Sequence, residues 1–302
     1  MRPRLNCTSV RFWKSSNNLI KKFLRIIFFT ALSGGGFFSP HFALHAAFVE
    51  LPPAKIDCAF FLEPYFTKMA AIHREGTKWY FSQRRWDDYL LFFGAQWAAQ
   101  VTGLAEDEVW IDSGAGSGNA LIDYLAKFNG KAVGIAAAVS NWDRYWIHQS
   151  MQHFVGRFDF YIGLLETPLS FWPQIPRGKV LTDLYGPMAY THAPDLLLRH
   201  YAEFLVPGGT AWIFIPQDSL LLWQKPQVPL TWPAYLALCQ GLKWQNEFLV
   251  QEQRYPHRMI GRILVVERTD DAVSIAPLIA VMEQFKFNIP PRRSFIAAAR
   301  QD

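Results

Sequence analysis

The sequence predicts an α/β fold on a mostly parallel sheet, and three observations lead there. From about residue 105 to 268, short apolar runs alternate with helical stretches. The intervening stretches are long enough to carry the chain back over the sheet, which parallel neighbours require. The last two extended runs are separated by too little chain for a crossover helix, so they add as an antiparallel hairpin. Composition agrees: 51% of the 302 residues are hydrophobic and 18% charged, which fits a packed chain and excludes a disordered one. With 12 Trp and 25 Phe, the rings either fill the core or line a pocket.

The elements follow in order. Residues 48–104 read as helical, and "DDYLLFFGAQWAAQVTGL" has apolar residues at three- and four-residue spacing with Gly103 as its stop. "VWID" (109–112) is a short apolar strand, and "GNALIDYLAKFNG" a helix closing on Gly130. "KAVGIAAAV" is a second strand, then "NWDRYWIHQSMQHFV" a helix with Asn141 as N-cap. "FDFYIGLL" and "KVLTDLYG" are the third and fourth strands. "APDLLLRHYAEFLVPGG" is a helix ended by Pro207-Gly208-Gly209, and "TAWIFIP" the fifth strand. "TWPAYLALCQGL" is a further helix. "EFLVQEQ" and "GRILVVER" form the closing pair around the turn-like "RYPHRM".

Charge is unevenly distributed. Arg2, Arg4, Arg11, Lys14, Lys21, Lys22 and Arg25 all precede the first acid, Glu50. The apolar run "IIFFTALSGGGFF" (26–38) and the small residues of "ALHAAF" come next, the order of a secretory leader. Its 13 residues fall short of the ~20 that span a bilayer as a helix. We therefore expect a leader over residues 1–47, with cleavage near Ala46 or Ala47, although Leu44 or His45 stands where a small residue is preferred. Export follows from that reading, with membrane attachment only through an uncleaved leader. A mis-assigned start, or a retained N-terminal extension, would leave the protein in the cytoplasm. Removing seven cations from a net charge of +5 leaves −2, so the basic balance belongs to the leader and nucleic-acid binding is not indicated.

The stretch "VWIDSGAGSGNAL" carries the chemistry. Gly114, Gly116 and Gly118 occupy the turn from the first strand of the alternating region into its helix, where ligands of open α/β sheets bind. Glycine permits positive φ and close approach of a ligand to the backbone. An ordinary tight turn would use the same residues. A P-loop is excluded because no Lys follows Gly118, and a dinucleotide GxGxxG would need glycine where Asn119 stands, which also disfavours a nucleotide-dependent oxidoreductase.

In this stretch the chain resembles the class I S-adenosylmethionine-dependent methyltransferase superfamily. "VWIDSGAGSG" matches its first motif. "KVLTDLYGPMAYT" looks like its fourth-strand motif, "LLLRHYAEFLVPGGTAWIFIP" like the following helix and fifth strand, and "EFLVQEQRYPHRMIGRILVVER" like its terminal hairpin. The resemblance covers about residues 70 to 268. It implies a doubly wound, seven-stranded sheet of the Rossmann-like methyltransferase kind within residues 105–302, and S-adenosylmethionine as a small-molecule cofactor. The cofactor would lie over Gly114, Ala115, Gly116 and Gly118. Asp112 would position its amino-acid portion or cap the turn. Asp183 would hold substrate or the methionine amine, and Tyr185 would line the acceptor pocket.

Two positions depart from the family. The acid that accepts both ribose hydroxyls falls on or near Ala136, with no acid before Asp143. The acid near the adenine amine is replaced by Leu164, with Glu166 two positions on as a stand-in or a solvated loop carboxylate. The fourth strand lacks [DN]PP[YF], so methylation of base or glutamine amino groups is not supported. The function expected is methyl transfer to an unidentified acceptor; the alternative is an exported, non-catalytic module with a methyltransferase-like fold.

The other chemistry-bearing residues fit no site. His148, His153 and His200 read as structural or surface residues, and no Ser-His-Asp order with a strand–Ser–helix elbow is present. No Cys/His cluster has metal spacing, so no metal is expected. Cys58 and Cys239 either pair in an oxidising compartment or remain buried thiols.

Overall fold

The computed structural model describes residues 47–51, 83–137, 139–163, 165, 169–189, 191, 194–216, 232–254 and 257–277. Residues 1–46 of the expected leader, Cys58, Leu164 and Glu166 lie outside them. Eight strands form one sheet: β1 Phe48–Glu50, β2 Val109–Asp112, β3 Lys131–Ala136, β4 Phe158–Ile162, β5 Gly178–Asp183, β6 Leu205–Pro216, β7 Leu242–Arg254 and β8 His257–Arg268. Their order is β1-β4-β3-β2-β5-β6-β8-β7. Strands β1 to β6 pair in parallel, and the β7–β8 hairpin adds antiparallel to β6.

All seven expected strands are present, and β1 is an eighth at the edge. The hairpin is longer than the sequence suggests, because strand pairing continues to Arg254↔His257. Among the described residues there are five α-helices: α1 Trp86–Thr102, α2 Asn119–Leu125, α3 Asn141–His153, α4 Pro194–Phe204 and α5 Trp232–Leu236. Gly103 does close α1. The N-cap of α3 is Ser140, whose hydroxyl accepts from Asp143 N–H, and not Asn141. Helix α4 ends at Phe204, before the Pro-Gly-Gly, because Leu205 already pairs with β5.

Side chains alternate along the strands and feed two cores, one on each face of the sheet. In β2, Val109 and Ile111 enter one and Trp110 the other. The Trp110 side is ring-rich. Trp86, Tyr89, Phe93 and Trp97 of α1 pack on Trp110, Tyr124 and Trp212, with Trp86–Trp97 centroids 4.9 Å apart and Trp97–Trp110 centroids 5.6 Å apart in edge contact. Helix α1 is kinked at Gly94 (φ 78, ψ −174), a backbone conformation that favours glycine. Its first turn is tied to α2: Arg85 bonds Asp123 at 2.7 and 2.6 Å, and Trp86 N–H donates to the same carboxylate at 3.2 Å. This clamp sets α1 beside the turn that follows β2.

Candidate functional site

The sheet order reverses between β2 and β5. From β2 the chain steps outward to β3 and β4, then returns to the other side of β2 as β5 and continues to β6. In open α/β sheets such a reversal is where ligands bind, beyond the carboxyl ends of the strands, which here are those of β2 and β5. The glycine stretch lies there as an elbow between β2 and α2. Gly116 (φ 54) and Gly118 (φ 76) both adopt the left-handed conformation. Ala115 N–H bonds Ile135 O at 3.1 Å and Gly118 N–H bonds Ala115 O at 2.8 Å, fixing the elbow's shape. Gly114 serves a different need. A Cβ there would lie 2.7 Å from Gly186 Cα, so the loops after β2 and β5 pack backbone on backbone.

Beneath the elbow is a buried polar network. Asp112 is 1% exposed. One of its oxygens accepts from Tyr89 Oη at 2.5 Å and the other from Thr182 Oγ1 at 3.1 Å, and Gly114 N–H also donates to it. Burial pushes its pKa up to about 6, against the opposing pull of these donors and the Arg84 charge. Thr182 stands beside Asp112 because the β2–β5 register pairs them, and it also accepts from Trp110 Nε1 at 2.9 Å. Arg84, just before α1, donates from Nη2 to Gly114 O at 3.3 Å and holds a side-chain hydrogen bond with Tyr89.

Asp183 ends β5 and has no exposed surface. Its carboxylate is turned into its own loop, where it accepts from Gly186 N–H at 2.7 Å, Met188 N–H at 2.9 Å and the Tyr201 hydroxyl. Burial raises its pKa, and those three donors and Arg84 oppose the shift. Tyr185 is the positive-φ non-glycine residue of the described chain, at φ 51. Such a conformation costs on the order of 1–3 kcal/mol and persists only where packing enforces it. Here the ring sits 4.5 Å from Phe214 and 5.8 Å from Phe92, with the Arg84 guanidinium 5.8 Å from its centroid.

The fold therefore brings Asp112, Gly114, Ala115, Gly116, Gly118, Asp183 and Tyr185 to one end of the sheet. Ala136 ends the neighbouring strand β3, buried and apolar, its carbonyl accepting from Gly163 N–H at 2.9 Å. The nearest later acid, Asp143, is engaged in a reciprocal cap with Ser140 at 2.6 and 3.0 Å, so it supplies no substitute. Arg84, Tyr89, Thr182 and Tyr201 are the site residues that sequence reasoning missed. Only Thr182 carried a signal, its place beside Asp183 in the fourth-strand motif. Among the histidines, His148 is exposed with its ring 4.1 Å from Phe48, and His200 is buried with its pKa pushed down to about 4 by desolvation. Among the described residues no group of three or more His, Cys, Asp or Glu side chains could hold a metal ion.

No protein-family model and no curated protein sequence matches the chain. Solved structures do. A protein from Listeria monocytogenes assigned to the class I S-adenosylmethionine-dependent methyltransferases is 11% identical, over 70% of this chain and 68% of that one, at a TM-score of 0.45. A protein from Pyrococcus horikoshii assigned as an RNA methyltransferase is 16% identical, over 58% and 82%, at 0.41. Coclaurine N-methyltransferase, bound to N-methylheliamine and S-adenosylhomocysteine, is 9% identical, over 60% and 71%, at 0.42. These structural neighbours are methyltransferases. At such identities the likeness is one of chain topology.

Proposed function

We propose that the elbow at 114–118 binds S-adenosylmethionine and that the protein transfers its methyl group to an acceptor. The observation that carries this reading is the left-handed glycine elbow at the place where the strand order reverses. The residues present fit such a group at its amino-acid end better than at its ribose. Gly116 and Gly118 hold the elbow in its left-handed turn, and Arg84 brings a cation to it, complementary to a ligand carboxylate. At the ribose end Ala136 stands where a diol-accepting carboxylate is expected; losing a charge-assisted bond of about 1.5–3 kcal/mol weakens binding by roughly tenfold to a hundredfold. Bound there, the cofactor supplies an electrophilic methyl on a sulfonium. Asp112 and Asp183 act as positioning residues, since their oxygens hold the elbow, Arg84, Tyr89 and the β5 loop in place. Tyr185, kept at positive φ beside that loop, lines the acceptor side.

Isothermal titration of the full chain with S-adenosylhomocysteine tests the reading. Heat saturating at micromolar to millimolar ligand supports it, and no heat from folded protein overturns it. A second reading, a methyltransferase-like module without catalysis, is favoured by Ala136 and by the internal hydrogen bonding of both carboxylates. It requires that the wild type give no heat and that binding emerge only in Ala136→Asp.

A further inference from the structure

The start of the described chain offers a chemical assignment for the end of the leader. Ala47 N–H donates to Asp159 Oδ1 at 2.7 Å, and Ala47 O accepts from Phe160 N–H at 2.9 Å. Strand β1 follows at once, pairing Phe48↔Phe160 through Glu50↔Ile162, and Leu51 N–H closes the ladder on Ile162 O at 2.8 Å. The nitrogen of Ala47 is thus outside the ladder; it meets a side chain. That side chain is a partly buried carboxylate whose hydrogen-bond donor is a neutral amide. The titratable groups facing it are Lys131, which acts through space, and Tyr161. Desolvation raises the Asp159 pKa, the mark of a carboxylate undercompensated by its surroundings.

We propose that Asp159 is the receptor for a new N-terminus created by cleavage between Ala46 and Ala47. A leader-removing endopeptidase adds water across that peptide bond: the C–N bond breaks, the water oxygen goes to Ala46, which leaves as a carboxylate, and both water protons go to the Ala47 nitrogen, which becomes an ammonium. The charge arises on the atom already seated 2.7 Å from Asp159, and the amide–carboxylate contact becomes an ion pair with no movement of β1. The geometry also separates the two cleavage positions the sequence leaves open. Cutting after Ala47 would remove both the nitrogen that meets Asp159 and the carbonyl that holds Phe160. The inference rests on residues 1–46 being a secretory leader, and it ties processing to the docking of the edge strand.

The test starts with the full-length chain expressed in a host with a general secretion pathway. The exported protein is purified and its N-terminal peptide identified by mass spectrometry, and Ala47 is the expected first residue. The rate at which an amine-reactive ester acylates the α-amine at pH 8 is then compared between wild type and Asp159→Asn. Pairing holds the amine protonated, so at pH 8 the variant reacts about fivefold faster, the change in neutral fraction that a shift of one unit from 7.7–8.0 gives. A carboxylate that merely accepted an amide N–H would leave the rate unchanged. Should Asp159→Asn not fold, the wild-type α-amine is titrated by NMR and expected at least about one unit above the ordinary 7.7–8.0. An unprocessed chain overturns the leader and the receptor together. Processing at another bond, equal acylation rates, or an α-amine of ordinary acidity overturns the receptor alone.

Discussion

Replacing Tyr89 by Phe tests the network that holds the elbow, and the pH dependence of the loss is its signature. The substitution keeps the ring packed on Phe93, Trp97 and Trp110 and removes only the hydroxyl 2.5 Å from Asp112. In the unfolded chain Asp112 titrates near 3.8, and in the fold near 6. Between those values the native state keeps a proton that the unfolded state has released. Its contribution to stability is therefore fully present below about pH 4 and is lost as pH rises through 6, a change of about 3 kcal/mol at roughly 1.4 kcal/mol per unit. The Tyr89 hydroxyl favours the ionised carboxylate. Without it the folded pKa rises by roughly one unit, the low end of a hydrogen bond to a charged group. Urea unfolding followed by tryptophan fluorescence at pH 5 and pH 8 reads the consequence. The variant's loss of stability at pH 8 should exceed its loss at pH 5 by about 1.4 kcal/mol. Equal losses at the two pH values would refute the pairing of Tyr89 with an ionised Asp112.

Three further outcomes follow from the packing. Gly114→Ala puts a methyl group 2.7 Å from Gly186 Cα, so the β2 and β5 loops must part; we expect a loss of about 1–3 kcal/mol in urea unfolding and no heat with S-adenosylhomocysteine. Arg268 is fully buried and donates to the carbonyls of Ala202, Leu205, Asp270 and Asp271 at 2.6–2.8 Å, closing the C-terminal end of α4. Arg268→Ala should cost about 3–5 kcal/mol in the same assay, and Arg268→Lys should recover only part because one ammonium cannot reach four carbonyls. Trp97→Ala, in the centre of the ring cluster with no exposed surface, should cost about 3–5 kcal/mol and lower the thermal midpoint accordingly.

The sheet was legible because its strands are short apolar runs bounded by turn residues, and the elbow because left-handed turns have few residue solutions other than glycine. Strand β1 was not, since Phe-Val-Glu is too short to show a period and its partner lies 112 residues away at Phe160. The same limit hid the site's supports. Tyr89 reads in sequence as one more ring on the apolar face of α1, and its hydroxyl meets Asp112 only because the Arg85–Asp123 clamp sets the helix there. Asp183 was readable as a strand-end acid, but not the direction of its carboxylate, which depends on Gly186, Met188 and Tyr201 folding around it. That direction has a functional consequence. An acid whose oxygens already accept three hydrogen bonds has little left with which to grip a ligand, whereas the elbow keeps its place only because Gly114 lets the β2 and β5 loops pack backbone on backbone. Ligand binding at this site should therefore respond more steeply to Gly114→Ala than to Asp183→Asn, which preserves the shape of the carboxylate and one of its two acceptors.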